Sequence, residues 1–180
     1  MRYLTLIRHA KSSWRHTDLT DFERPLNARG HRDAPRMAAR VRQALPTPDV
    51  WISSPATRAM MTARLFAETL TEPLSRLRYD AAVYDASLDT LVTVLRGLPD
   101  DAEQVWLFGH NPGLTLLTQW LAAETAPAHM PTCAVAHLAL SIPEWRTVDA
   151  RCGQLRWFSA PKLDDDPAPP SDPTPLSPGA

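Results

Sequence analysis

Two periods of apolar residues alternate along this chain. Short apolar runs at Tyr3–Ile7, Val50–Ile52 and Val105–Phe108 have the length and composition of buried strands. Between them, apolar residues recur at helical spacing. One set is Ala34, Met37, Ala38, Val41 and Leu45; a second is Ala59, Ala63, Phe66 and Leu70. Later sets are Leu88, Leu91, Val92 and Leu95, then Leu114, Leu117, Trp120 and Leu121. Leu77–Tyr84 is expected to be extended, with room for a short strand. Ala134–Ile142 and Leu155–Ser159 read as two further strands.

Turn chemistry marks the element ends. Pro25–Gly30 reads as a loop, and Pro35 predicts either a kinked first helix or one that starts near Asp33. Ser54-Pro55 and Asn111-Pro112 each read as an N-cap followed by a first helical proline. Ser87 is expected to cap the third helix, with Gly97 and Pro99 closing it. Strands separated by helices predict an α/β fold, a three-layer α/β/α sandwich around a mostly parallel sheet. No helical pattern separates the last two strands, so one of them is expected as an antiparallel edge strand.

Composition limits the alternatives. The chain has 180 residues, with 18 prolines against 6 glycines. That excess alone suggests disorder, but 44% hydrophobic residues and six tryptophans supply a core. Six of the prolines lie in the last fourteen residues. The division expected is therefore a folded domain over 1–163 and a proline-rich disordered tail over 164–180. Truncation after Leu163 is expected to leave catalysis intact.

Net charge is −1, so no basic field favours nucleic acid or an anionic membrane. No apolar run is long enough to span a bilayer and no signal sequence is evident, which makes a cytoplasmic protein the default. Only Lys11 and Lys162 are lysines; the other basic residues are arginines, better forks for phosphate or carboxylate. Cys133 and Cys152 permit one disulfide but form no C-x-x-C pair.

Candidate chemistry gathers where strands end. Arg8-His9 follows the first strand, Ser53 to Arg58 the second, and Gly109 to Pro112 the third long one. In open parallel sheets, ligands bind beyond the carboxyl ends of the strands, where helix N-termini attract anions. Two arginines and two histidines thus converge on an expected anion site. Arg58 falls in the first turn of its helix, where a cation opposes the dipole unless an anion sits there. A P-loop and a helical H-x-x-x-H pair are both missing, which excludes P-loop nucleotide hydrolysis and a zinc helix.

Leu6-Ile7-Arg8-His9-Ala10, Ser54-Pro55-Ala56-Thr57-Arg58-Ala59 and Gly109-His110-Asn111-Pro112 resemble the signature blocks of the histidine phosphatase superfamily, which includes the phosphoglycerate mutases. Arg24-Pro25-Leu26, Tyr84-Asp85-Ala86-Ser87 and Trp157 to Leu163 resemble its SixA-type phosphohistidine phosphatases. The resemblance implies a phosphoglycerate mutase-like fold, no cofactor and no metal. It implies His9 as nucleophile, Arg8 and Arg58 as phosphate grips, and His110 as a second phosphate-binding histidine. Asp85 stands where larger relatives carry a proton donor. Many relatives have Gly where this chain has Ala10, a change that matters only if φ is positive there.

Other residues near these motifs have plainer roles open to them. Lys11, Ser12 and Ser13 are either phosphate contacts or solvated loop, and Asp21 with Arg24 is either a structural pair or a substrate contact. His16, His31, His129 and His137 read as surface or packing residues. Only 51 residues separate Arg58 from His110, too few for a large cap insertion. An open site favours a phosphorylated side chain on a protein over an enclosed sugar phosphate. The expected activity is hydrolysis of protein phosphohistidine. The alternatives are a small-molecule phosphomonoesterase and, from another class, a non-catalytic phosphate-binding module.

Overall fold

The computed structural model describes residues 1–162. The expected tail over 164–180, and Leu163 before it, lie outside the described residues. The strands are β1 (Arg2–Arg8), β2 (Val50–Ser53), β3 (Leu77–Tyr79), β4 (Gln104–Gly109), β5 (Val135–Leu140) and β6 (Gly153–Ser159). The α-helices are α1 (Ala28–Ala44), α2 (Thr57–Leu70), α3 (Leu88–Arg96) and α4 (Gly113–Ala122).

The strands form one sheet in the order β3-β2-β4-β1-β5-β6. β3, β2, β4 and β1 pair in parallel, as crossover helices require. β5 pairs antiparallel with both β1 and β6. The reversed strand is therefore β5, one place inside the edge, and β6 at the edge runs in the same sense as β1. The link from β5 to β6 holds only a single 3₁₀ turn, at Trp145–Thr147, so it supplies no crossover helix. The two strands accordingly pair as neighbours in opposite directions.

Period-two alternation inside the apolar strands feeds two cores. Leu4 and Leu6 of β1 and Val105 and Leu107 of β4 face α3 and α4, with Leu91, Leu95, Leu114 and Leu117. Ile7, Trp51, Trp106 and Phe108 face the other way, against Met37, Val41 and Phe66 of α1 and α2. This is the expected α/β/α sandwich. On the second face Trp51 and Trp106 pack with ring centroids 4.8 Å apart, and Phe66 meets Phe108 edge-on at 5.3 Å.

Helix starts differ from expectation in three places. α1 begins five residues before Asp33, because Asn27 accepts the Gly30 N–H at 2.9 Å and caps it. Pro35 sits inside α1, where it withholds an N–H. Ala34, Met37, Ala38 and Val41 all bury against the sheet and outweigh that loss. α2 starts at Thr57 behind Ala56, with no side-chain cap, so Ser54 and Pro55 lie in the preceding turn. α4 starts at Gly113, and Asn111 accepts from the Thr115 hydroxyl at 3.1 Å rather than from a backbone N–H. The Ser87 cap is as expected, accepting from the Thr90 N–H.

No large cap intervenes between Arg58 and His110. The span holds the rest of α2, β3, α3, β4 and two single 3₁₀ turns. Cys133 and Cys152 are free thiols. No helix among the described residues is long and apolar enough to cross a membrane.

Candidate active site

Parallel pairing of β1 with β4 places Arg8 opposite Gly109. His9 and His110 follow these partners directly, and their rings lie 5.2 Å apart between centroids. The His9 backbone is held on both sides: its N–H donates to Gly109 O and its carbonyl accepts from Cys133 N, each at 3.0 Å. The Ala10 N–H donates to Thr62 Oγ1 at 3.0 Å, and the same hydroxyl donates to Arg58 O at 2.7 Å. Thr62 thus fastens the loop after β1 to α2. Ala10 is not among the residues with positive φ, so the alanine is unstrained at this position.

His9 Nδ1 lies 2.7 Å from Ala10 O. A carbonyl only accepts, so the proton is on Nδ1 and the lone pair on Nε2. Arg58 Nε donates toward that Nε2 at 3.3 Å. Burial, with His110, Arg58 and Arg8 nearby, pulls the His9 pKa down to about 3, against the opposing Ala10 bond. Burial and the charge of Arg58 lower His110 to about 4. Both rings are neutral at physiological pH.

His110 Nε2 meets Ser54 Oγ at 2.7 Å, and Ser54 Oγ also accepts the Ala56 N–H at 3.2 Å. The hydroxyl keeps a second lone pair, so this bond is made by either neutral tautomer of His110, and the ring's other nitrogen, Nδ1, is left over. That atom is buried and meets no partner among the described residues. An unspent buried ring nitrogen on a residue that faces His9 is free to bond an incoming group.

The arginines are oriented by fixed partners. Arg8 donates to Met130 O at 2.8 Å and lies 3.4 Å from His129 Nε2. His129, expected as surface or packing, is thus a neighbour of the site. Arg58 donates through both terminal nitrogens to Asp21, at the backbone carbonyl and at Oδ2 (3.0 Å). Arg24 grips Asp21 Oδ1 from Nε and Nη2, at 3.1 and 2.9 Å, and donates to Ser12 Oγ at 2.7 Å. Tyr84 adds its hydroxyl to Asp21 Oδ2 at 2.9 Å. Burial pushes the Asp21 pKa up, but the bonds from Arg24, Tyr84 and Arg58 win and hold it at about 2. This carboxylate is the anion that the N-terminal placement of Arg58 requires.

A cavity of about 340 Å³ joins these groups. Arg8, His9, Arg58 and His110 line it together, and so do Lys11, Ser12, Arg24 and Asp85. Asp85 adopts a left-handed φ of 47°, which an Asp tolerates better than most residues. Ser13 turns away from phosphate duty: its N–H pairs with Pro25 O and its hydroxyl accepts from Arg15 N. Sequence patterns do not reveal Tyr84 as a partner of Asp21, or Ser54 as a partner of His110. Loop tertiary contacts create both pairs. Among the described residues no three His, Cys, Asp or Glu side chains group so as to hold a metal ion.

Residues 4–81 match the model of the histidine phosphatase superfamily, branch 1. An uncharacterized protein of Mycobacterium tuberculosis is 30% identical over 165 residues, covering 87% of this chain and all of its own. A SixA-type chain from Agrobacterium tumefaciens superposes with a TM-score of 0.72 at 26% identity, covering 88% of this chain and 97% of that one. The protein histidine phosphatase SixA complexed with tungstate gives a TM-score of 0.74 at 20% identity, covering 88% and 97%. The chain belongs to the histidine phosphatase superfamily. It is a phosphatase, a hydrolase of phosphorylated substrates.

Proposed function

We propose that this phosphatase removes the phosphoryl group from phosphohistidine on a protein, through a phosphohistidine intermediate on His9. The observation that carries the reading is the state of His9. Its proton is committed to Ala10 O, and its Nε2 lone pair faces Arg58 in a pocket that keeps the ring neutral. A neutral imidazole nitrogen is the form that attacks phosphorus.

In this reading the phosphoryl oxygens sit among Arg8, Arg58 and the free Nδ1 edge of His110, which donates to them as its Nδ1–H tautomer. These fixed donors stabilise the charge on the equatorial oxygens in the transition state. His9 Nε2 forms a new P–N bond as the bond to the leaving atom breaks in line. Asp85 is the proposed source of the proton for that atom. Water then attacks the phosphohistidine and inorganic phosphate departs. A structure similar in fold, that of the protein histidine phosphatase SixA, is a complex with tungstate, a compact oxyanion.

The absence of a large cap between Arg58 and His110 and a cavity of about 340 Å³, at the low end of the size range for small-ligand pockets, support a protein-borne substrate. A turnover panel tests the reading: phosphohistidine proteins against sugar and nucleotide monophosphates, with and without EDTA. The expected outcome is preference for phosphohistidine, unaffected by EDTA, with acid-labile label on His9. His9→Ala is expected to lose at least about 10³-fold in turnover. Full turnover by that variant overturns the mechanism, and preference for a small monophosphate overturns the substrate.

A further inference from the structure

Trp14 is 72% exposed, the most exposed large apolar side chain among the described residues, and it lines the cavity. Exposure alone would mean little; this tryptophan stands out because it is held in place at the cavity. Its placement is not loose. The Arg24 guanidinium carbon lies 3.6 Å from the indole centroid and covers one face of the ring. Arg24 itself is buried and pinned by Asp21 and Ser12. The same carboxylate holds Arg58, which touches His9. A continuous set of contacts therefore fixes the indole relative to the nucleophile.

In-line displacement sets where the leaving group goes. His9 is buried in the cavity lining and Trp14 is exposed in it, so a leaving atom in line with and opposite His9 points away from the buried side, toward solvent. Trp14 is the one Phe, Tyr or Trp side chain among the described residues that lines the cavity. An indole face favours a flat ring over an aliphatic alcohol or a sugar hydroxyl.

We propose that Trp14 is a specificity-determining residue whose indole stacks on the flat leaving group, the imidazole of a substrate phosphohistidine. This rests on the phosphohistidine reading for the identity of the ring. In the step it assists, His9 Nε2 bonds to phosphorus while the P–N bond to the substrate imidazole breaks. The departing nitrogen keeps the bonding pair and takes a proton, and the freed neutral imidazole remains against the indole.

The test is steady-state kinetics of the full chain with Trp14→Ala, Trp14→Leu and Trp14→Phe. Two substrates carry a ring, a phosphohistidine peptide and p-nitrophenyl phosphate. Two do not, phosphoramidate and acetyl phosphate. On the ring-bearing pair, Ala and Leu are expected to lower kcat/KM about five- to ten-fold, mostly through KM, with Phe restoring most of it. On the ringless pair all three variants match wild type, which also shows that they fold. An equal loss on all four substrates, or none on the ring-bearing pair, overturns the proposal. If wild type prefers the ringless compounds to the peptide, the phosphohistidine reading fails. The p-nitrophenyl phosphate arm then still decides whether Trp14 stacks on a flat leaving group.

Discussion

Arg58 donates from Nε to Nε2 of His9 at 3.3 Å, while each of its two terminal nitrogens gives one of its two N–H groups to Asp21. One planar group therefore touches the proposed nucleophile and a fixed carboxylate at once. Lysine has no fork with which to do both. Arg58→Lys is expected to lower kcat/KM by about 10²- to 10³-fold. Steady-state kinetics with circular dichroism as a folding control measures this.

The two site histidines carry a pH signature. With folded pKa values of about 3 and about 4, His9 and His110 stay neutral where free imidazoles titrate, near 6.5. Nitrogen-15 spectra of the rings are expected to show neutral imidazoles from pH 8 down to about 5, with His9 as the Nδ1–H tautomer. Below pH 6.5 the unfolded chain takes up protons that the folded chain refuses. Stability from these two groups therefore falls as pH drops from 6.5 toward 4 and then 3, and is level above 6.5. Denaturant midpoints across that range check the sign.

Asp21 links Arg24, Arg58 and Tyr84. Asp21→Asn keeps the shape but removes the charge that orients both guanidinium groups. A fall of about ten-fold in kcat is expected, of the size typical when a supporting partner is lost. Because the carboxylate stays ionised down to about pH 2, the ratio to wild type is expected to be constant between pH 5 and 8. Kinetics at several pH values in that range provides the measurement.

Gly30, in the first turn of α1, backs onto the loop that follows His9. A Cβ there would stand 2.2 Å from Lys11 O, a backbone atom that cannot step aside. Gly30→Ala is expected to destabilise the fold by about 1–3 kcal/mol, as overpacked sites do. The shift in urea midpoint at unchanged m-value measures it.

Much of this was legible in the order of residues, and the reasons are local. Strand runs such as Val105–Phe108 and the Ser87 cap carry their instructions within a few neighbours. Arg8, His9, Arg58 and His110 were legible because each stands at a strand or helix end. The start of α1 was obscured because Pro35 signals a break that burial of Met37 and Val41 overrides. The place of β5 was obscured because its neighbours are chosen by pairing across the sheet. Asp21 with Tyr84, and Ser54 with His110, are bonds between residues 63 and 56 positions apart, which no local pattern encodes.

The pairing of Arg8 with Gly109 also has a kinetic side. The two histidines that follow it are about a hundred residues apart in the chain, and they meet only when β4 docks beside β1. That contact closes a long loop, so its entropy is paid before any local contact repays it. Helices such as α2 can form on their own timescale, but the candidate pocket cannot exist until the centre of the sheet has joined. During refolding, return of phosphatase activity therefore reports closure of the innermost strand pair rather than the recovery of helix.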